Sequence, residues 1–237
     1  LLPIYNKPMI YYPLSTLMLG GIREYLIITN PSHLKLYQNL LGYGDNLGIN
    51  IKYKIQKKPE GLPQAFIIGE KFINNEPVCL NLGDHIFFGN DVNRLLKKNI
   101  NSFKKTTIFA YRHKKSNEYG VINLDKKNRP ISISEKPNKP KSNLIVCGLY
   151  IYDKNVVELS KNLKFSKRGE LEISDLNNLY LKNNTLNVEI IDKKNHWIDA
   201  GSPEKIFEAS KLIESIEKRK KSYIGFPEIA ALKKRYI

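Results

Sequence analysis

The run PVCLNLGDHIFFG, Pro77 to Gly89, is an apolar stretch that leads into Gly83-Asp84. Val78, Cys79, Leu80 and Leu82 show no clean alternation, the pattern of a strand covered on both faces. Such a strand delivers one carboxylate to the end of a sheet. Gly83 lets the backbone turn or approach a ligand, and open α/β sheets bind ligands outside the carboxyl ends of their strands. Read alone, Asp84 serves equally well as a cap for a following helix. A second carboxylate stands at Asp199, in His196-Trp197-Ile198-Asp199-Ala200-Gly201. It lies just ahead of Ser202-Pro203-Glu204, which carries the N-cap, first-turn proline and early acid of a helix start. Two carboxylates from distant loops, completed by phosphate oxygens and water, make the oxygen-rich octahedral setting that Mg²⁺ prefers.

The elements that must carry these groups alternate. A helix is expected over Met9 to Leu19, stopped by Gly20-Gly21, then a strand over Glu24 to Thr29, a helix over Ser32 to Leu41 and a strand over Ile49 to Ile55. A helix over Gln64 to Phe72, the strand at Val78 to Leu82, a helix over Asp91 to Phe103 and a strand over Thr106 to Tyr111 follow. This rhythm predicts an α/β fold with a mainly parallel, Rossmann-like sheet and right-handed crossovers. It then changes to a hairpin, Tyr119 to Leu124 and Ile131 to Ser134, and a strand over Leu144 to Tyr152. Helices are expected near Ile173 to Lys182, Glu204 to Arg219 and Glu228 to Arg235.

At 237 residues the chain can bury a full core. No stretch approaches the roughly 18 to 20 apolar residues of a membrane span, and no signal-peptide pattern opens the sequence. Cys79 and Cys147 sit in apolar strand-like runs without metal-ligand spacing, which fits a reduced interior and a cytoplasmic location. The 39 basic and 23 acidic residues give a net charge of +16. The lysines are scattered over nearly every helix and turn, and no nucleic-acid-binding motif accompanies them, so neither a nucleic-acid nor a membrane partner is expected. His33 and His113 have no ligand spacing.

Several stretches fit together in order. They are LLPIYNKPMIYYPLSTLMLGGI at Leu1 to Ile22, Gln56 with PEGLPQA at Pro59 to Ala65, LGDHIFFG at Leu82 to Gly89 and EYGVINLD at Glu118 to Asp125. SEKPNKPKSN at Ser134 to Asn143, RGELEISD at Arg168 to Asp175 and WIDAG at Trp197 to Gly201 complete the set. Together they resemble the sugar-1-phosphate nucleotidylyltransferases, in the branch that uses dTTP and glucose 1-phosphate, over essentially the whole chain. The resemblance implies a three-layer nucleotidyltransferase core spanning 1–237 as one domain, with an added hairpin and a helical C-terminal region over 203–237. It also implies Mg²⁺, a dTTP substrate and a homotetramer.

The motifs can be read for chemistry beside that resemblance. Gln56 ends a strand and offers donor and acceptor to a pyrimidine edge, though a solvated glutamine would look the same. Gly61 and Gln64 open the next helix, where a plain turn is the alternative. The resemblance assigns these three to the nucleotide. Pro137 is expected to hold Lys136 extended, limiting where its ammonium can point, and lysine and arginine both grip phosphate. By resemblance, Lys136 and Arg168 bind the sugar phosphate. Tyr119, Gly120, Glu135 and Glu170 face the hexose, and Val146 and Tyr150 form the pocket wall. An aromatic such as Tyr150 in an apolar strand is ordinarily core. His85 stands where the family commonly has asparagine.

Family members open with a strand and a loop G-G-x-G-T-R-L whose amides cradle the nucleotide phosphates, and a lysine follows. None of these is in the sequence, which begins in mid-motif at Leu1. An incomplete copy is therefore expected, with a split sheet, two unsatisfied strand edges and no measurable activity. With the opening present, the expected reaction is thymidylyl transfer from dTTP to glucose 1-phosphate, giving dTDP-glucose and pyrophosphate, the first step of dTDP-sugar synthesis such as that of dTDP-rhamnose. Asp84, Lys136, Arg168 and Asp199 would be its catalytic residues, Asp84 also touching the nucleotide and, with Asp199, the metal. The alternatives are a UTP- or CTP-using relative, a non-catalytic sugar-nucleotide binder, and a basic nucleic-acid binder.

Overall fold

Tyr5, at φ +57°, turns the chain between two short strands, β1 (Pro3–Ile4) and β2 (Lys7–Pro8), and helix α1 (Tyr11–Gly20) follows. The computed structural model describes residues 1–221 and 223–237. As the glycine pair predicts, Gly21 ends α1 in the left-handed region, and the Gly21 and Ile22 amides close on the carbonyls of Met18 and Leu17. Strands β3 (Glu24–Thr29) and β4 (Asn50–Ile55) flank α2 (Leu34–Leu41) and pair in parallel. The helix expected over Gln64 to Phe72 is split into α3 (Gln64–Ile68) and α4 (Glu70–Ile73) at Gly69, the poorest helix former of the stretch.

Strand β5 (Val78–Asn81) is followed after Asp84 by a second strand, β6 (His85–Phe88), where no element was expected before helix α5 (Asn90–Asn101). Then come β7 (Thr106–Arg112), the hairpin β8 (Gly120–Leu124) and β9 (Pro130–Glu135), and β10 (Leu144–Tyr152), which is buried along all nine residues. The remaining elements are α6 (Val156–Lys161), α7 (Ile173–Lys182), β11 (Leu186–Ile190), β12 (His196–Asp199), α8 (Pro203–Lys220) and α9 (Pro227–Lys234). Helix α6 and strands β11 and β12 have no counterpart in the sequence reading.

Strand β10 organises the six-stranded sheet. Along one edge it pairs with β7. Its other edge is shared, β8 meeting it at Ile145 and β5 at Leu149 to Tyr152. All three ladders are antiparallel, while β11 runs parallel to β7. The fold is α/β as expected, but its strand directions are mixed rather than mainly parallel. The antiparallel part centres on β10, which runs opposite to β5, β7 and β8 alike and so breaks the parallel run expected from the alternating elements. A bulge lies between Val146 and Tyr150, where Gly148 sits at φ +73°.

The expected split is present. Among the described residues β3 pairs only with β4, and β5 only with β10. The two strands border one cleft of about 670 Å³, lined by Leu26, Ile28, Phe66, Val78, Leu80 and Ile151. Asn81 also lines it, and its buried amide nitrogen and oxygen have no hydrogen-bond partner. Separate apolar clusters lie on either side. One, with Met18, Tyr25, Ile51 and Ala231, joins α1 and α9 to the β3–β4 pair, and another, with Ile108, Ile122, Tyr152 and Leu176, packs α7 on the large sheet. Lys7, buried, pairs with Glu217 at 3.2 Å and ties the opening hairpin to α8. Both cysteines are free thiols. No helix among the described residues is long and apolar enough to cross a membrane.

Candidate active site

The pairing of β6 with β12 brings the two aspartates together. The strands run antiparallel with Asp199 opposite His85, so the residue just before β6 and the last residue of β12 share one end of the ribbon. One ligating atom from each of Asp84, His85 and Asp199 lies within 4.8 Å of the others. Asp84 is half exposed and its carboxylate stands 3.8 Å from His85 Nε2. The other ring nitrogen, Nδ1, lies 2.9 Å from the Cys147 carbonyl. A carbonyl only accepts, so Nδ1 carries a proton and donates to it, while Nε2 faces Asp84. Two carboxylates and one imidazole nitrogen around a half-open space suit a divalent cation that takes its remaining ligands from phosphate and water. Gly201 keeps this space clear, since a Cβ there would stand 3.0 Å from Asp199 and 3.2 Å from Asp84.

Asp199 is held from three directions. Its Oδ1 accepts from the Gly201 amide at 2.9 Å, and its Oδ2 accepts from Lys205 Nζ at 2.6 Å and the Tyr119 hydroxyl at 3.0 Å. Burial works to raise the Asp199 carboxyl, but the hydrogen bonds from Lys205 and Gly201 and the charges of His85 and Lys205 outweigh it and hold it below the usual carboxylate range. For Lys205, partial burial opposes the charge, and the bonds to Asp199 and Tyr119 raise it above an ordinary lysine all the same. The Tyr119 phenol is raised, first by burial, with Lys205 pulling against it and Asp199 adding to it.

From Tyr119 the site continues along the hairpin. The Lys136 amide donates to the Tyr119 carbonyl at 3.1 Å, and Gly120 lies opposite Glu135 in the β8–β9 ladder. A Cβ on Gly120 would meet Ser174 Oγ at 3.1 Å and Glu135 at 3.4 Å, so this glycine admits the contact between those two side chains. Lys136 corrects the expectation of an extended backbone. It adopts φ +39°, because its amide stays bonded to Tyr119 while the chain turns toward Pro137. Its side chain is exposed and, among the described residues, makes no ion pair. Arg168 lies 3.5 Å from Glu172, 3.6 Å from Glu170 and 4.0 Å from Glu135. None of these is as short as a close charge-assisted pair, so the half-exposed guanidinium retains N–H groups for a further anion.

The nucleotide-side candidates join this strip through backbone. Gly61 has φ +107°, and a Cβ there would fall 2.1 Å from the Leu171 carbonyl, so its close approach is to the chain itself. The Leu171 amide donates to the Glu60 carbonyl at 2.8 Å, which docks the Pro59-to-Pro63 loop on the Arg168 loop. Gln56 Nε2 donates to Gln64 Oε1, and Gln64 Nε2 donates to Glu60 at 2.8 Å, so the two glutamines are one network. Val146 lies under Gly120 at the floor. Tyr150 is 3 % exposed and stacks on Tyr152 within the core, so it belongs to the interior and does not line the strip.

Sequence reasoning set His85 beside the first aspartate without counting it a ligand, and it missed Lys205 as a neighbour of the aspartates and Glu172 and Ser174 as partners of the hairpin and the Arg168 loop. Lys205 carried no signal beyond its place in a helix start. Glu172 stood in the quoted RGELEISD motif and was passed over for Glu170, yet it is the buried one, accepting from Ser166 at 2.8 Å.

Comparison with known proteins gives the family. Residues 1–216 match the model of the nucleotidyl transferase family. The chain is 48 % identical over 217 residues to a glucose-1-phosphate thymidylyltransferase of Neisseria meningitidis, covering 92 % of this chain and 75 % of that one. It is 44 % identical over 237 residues to one of Xanthomonas campestris, covering 100 % of this chain and 80 % of the relative. Among solved structures, a chain from Bacillus anthracis described as a glucose-1-phosphate thymidylyltransferase, in complex with a sucrose, superposes with a TM-score of 0.82 at 34 % identity, over 90 % of this chain and 85 % of that one. A UDP-glucose pyrophosphorylase complexed with UDP-glucose gives 0.78 at 25 % identity, over 93 % and 90 %. With the family model spanning 1–216 and relatives 44 to 48 % identical over nearly its whole length, the chain belongs to the nucleotidyl transferase family.

Proposed function

We propose that the site transfers a thymidylyl group from dTTP to glucose 1-phosphate, giving dTDP-glucose and pyrophosphate. The observation that carries this reading is the unbroken path from Asp84 and Asp199 through Tyr119 to Lys136, Glu135 and Arg168, in a chain 48 % identical to a thymidylyltransferase. Lys136 and Arg168 hold the sugar phosphate so that one of its oxygens attacks the α-phosphorus in line. The new P–O bond forms as the bond to the β-phosphate oxygen breaks, and pyrophosphate leaves with that electron pair. The attacking oxygen is already anionic, so no enzyme nucleophile or strong base is needed. Glu135, Glu170 and Tyr119 offer acceptors and a hydroxyl to the hexose, and the Gln56–Gln64 pair faces the base. Asp84 and Asp199 would hold Mg²⁺, which when bound neutralises triphosphate charge.

Mg²⁺ as the metal, a homotetramer, a cytoplasmic location and dTDP-rhamnose as an end product rest on the family resemblance. The second reading, a uridylyl transferase, is supported by the similarity to UDP-glucose pyrophosphorylase. The test is pyrophosphate release from dTTP, UTP and CTP with glucose 1-phosphate and Mg²⁺, with a relative's opening strand and glycine-rich loop joined ahead of Leu1. Preference for dTTP supports the proposal. Preference for UTP would move the chain to the uridylyl branch, and binding of dTDP-glucose without turnover with any of the three would reduce it to a sugar-nucleotide binder.

A further inference from the structure

Lys205 is the one lysine or arginine paired with Asp199 among the described residues. It is held in the first turn of α8, where Ser202 caps the helix by accepting from the Lys205 amide and Pro203 opens it. Its backbone is thereby fixed, while four methylenes leave the ammonium free to swing. At its present position the ammonium donates to Asp199 Oδ2 at 2.6 Å and to the Tyr119 hydroxyl at 3.0 Å, and lies 5.2 Å from the Tyr119 ring centre. Within its reach is a second carboxylate, Glu118 Oε2, at 3.5 Å. Asp199 is largely buried, with 13 % of its side chain exposed, while Glu118 is 40 % exposed. The lysine therefore stands between an inner and an outer anion.

We propose that Lys205 is a built-in counter-cation that competes with the divalent metal for Asp199 and moves its ammonium to Glu118 when the metal enters. The inference rests on Asp84 and Asp199 being the metal ligands. A divalent ion on an Asp199 oxygen would sit about 2.0 to 2.1 Å from it if magnesium, with the ammonium a few ångströms away on the same carboxylate. Charges of one sign at that separation repel strongly in a partly desolvated site. One of them must leave, and Glu118 gives the lysine an ionic partner without returning it to bulk water. Lys205 is thus a positioning residue. In the absence of metal it keeps Asp199 and Tyr119 in place, and its departure frees the Tyr119 hydroxyl oxygen, which had accepted from the ammonium, to accept from the hexose while the hydroxyl still faces Asp199.

The test uses Mn²⁺ as a paramagnetic probe on the full chain without nucleotide, with free ion read by electron paramagnetic resonance. Lys205→Met should bind Mn²⁺ about tenfold more tightly than wild type, a change of about 1.4 kcal/mol. Lys205→Arg should restore wild-type affinity, because the internal cation is restored. Glu118→Gln should bind Mn²⁺ several-fold more weakly, because the displaced lysine loses its second partner. Unchanged or weaker binding in Lys205→Met would overturn the inference. Should that variant fail to fold by circular dichroism, Glu118→Gln decides, and unchanged binding there overturns it. Asp199→Asn separates the two layers. Loss of Mn²⁺ in Asp199→Asn without a gain in Lys205→Met defeats the lysine role alone, whereas full retention of Mn²⁺ in Asp199→Asn defeats the metal reading beneath it.

Discussion

Gly148→Ala should be a costly single methyl at the site, because it lands on a buried ring. Gly148 occupies the bulge of β10 at φ +73°, where an L side chain costs about 1 to 2 kcal/mol. The added Cβ would fall 2.1 Å from His85 Nδ1, so the ring must move. His85 is buried, packs edge-on against Trp197 and donates to the Cys147 carbonyl, which also accepts from Trp197 Nε1 at 2.9 Å. Displacing it adds overpacking of about 1 to 3 kcal/mol and the loss of a buried hydrogen bond of about 1 kcal/mol. The expected destabilisation is about 3 to 6 kcal/mol, a large part of the roughly 5 to 15 kcal/mol that holds a domain together. Urea unfolding followed by far-ultraviolet dichroism reads it as a midpoint lowered by about 1 M or more. The same substitution in a His85→Ala background should cost only the backbone part, about 1 to 2 kcal/mol, since the clashing ring is gone. Equal costs in the two backgrounds would refute the argument that the glycine exists to seat the histidine.

Three further outcomes are expected. Lys136→Ala should impair use of glucose 1-phosphate more than use of dTTP, each tenfold loss in kcat/KM being about 1.4 kcal/mol, and a change confined to dTTP would place Lys136 on the wrong substrate. The folded Asp199 carboxyl lies below its ordinary 3.8 and Lys205 above its ordinary 10.5, so their pair contributes stability between those values. The stability gap between wild type and Asp199→Asn should therefore be constant from about pH 5 to 9 and close as pH falls through the depressed carboxyl, and a gap that widened in acid would contradict the sign. Nucleotidyl transfer by Leu1–Ile237 alone should be slower by several powers of ten than with a glycine-rich opening supplied, at roughly 10² to 10³ per phosphate donor gained, and equal rates would sink that expectation.

Much of this was legible because local pattern and tertiary role coincide. EYLIIT is strand β3 to the residue, and LIVCGLYIY, Leu144 to Tyr152, is β10, since both are short runs rich in β-branched and aromatic residues, which favours strand over helix. Strands β6 and β12 escaped notice because each is four residues long and is defined by a partner more than a hundred positions away, which no local period encodes. That omission hid the reason Asp84 and Asp199 meet, although both were picked out. Lys136 was misread because the rule for residues before proline says nothing of the tertiary hydrogen bond to Tyr119 that turns it. Tyr150 and Glu172 show the same limit from opposite sides, since burial of one aromatic or one acid is decided by neighbours that the sequence does not order.

The cleft between β3 and β5 also bears on how the molecule breathes. Among the described residues the two facing edges have no ladder partners, and the cluster around Met18 and Ile51 is separate from the one around Ile122 and Tyr152. The β3–β4 pair is tied to the rest of the molecule through α1, whose Gly20 lies against Leu96 of α5 and whose Thr16 reaches the Phe87 carbonyl of β6, so it is the two strands rather than α1 that should open at a free energy below that of global unfolding. Hydrogen exchange would register them as a distinct class of amides, faster than those of β10. A strand laid into the cleft would fuse the two classes into one, so the exchange pattern reports the continuity of the sheet directly, before any chemistry is assayed.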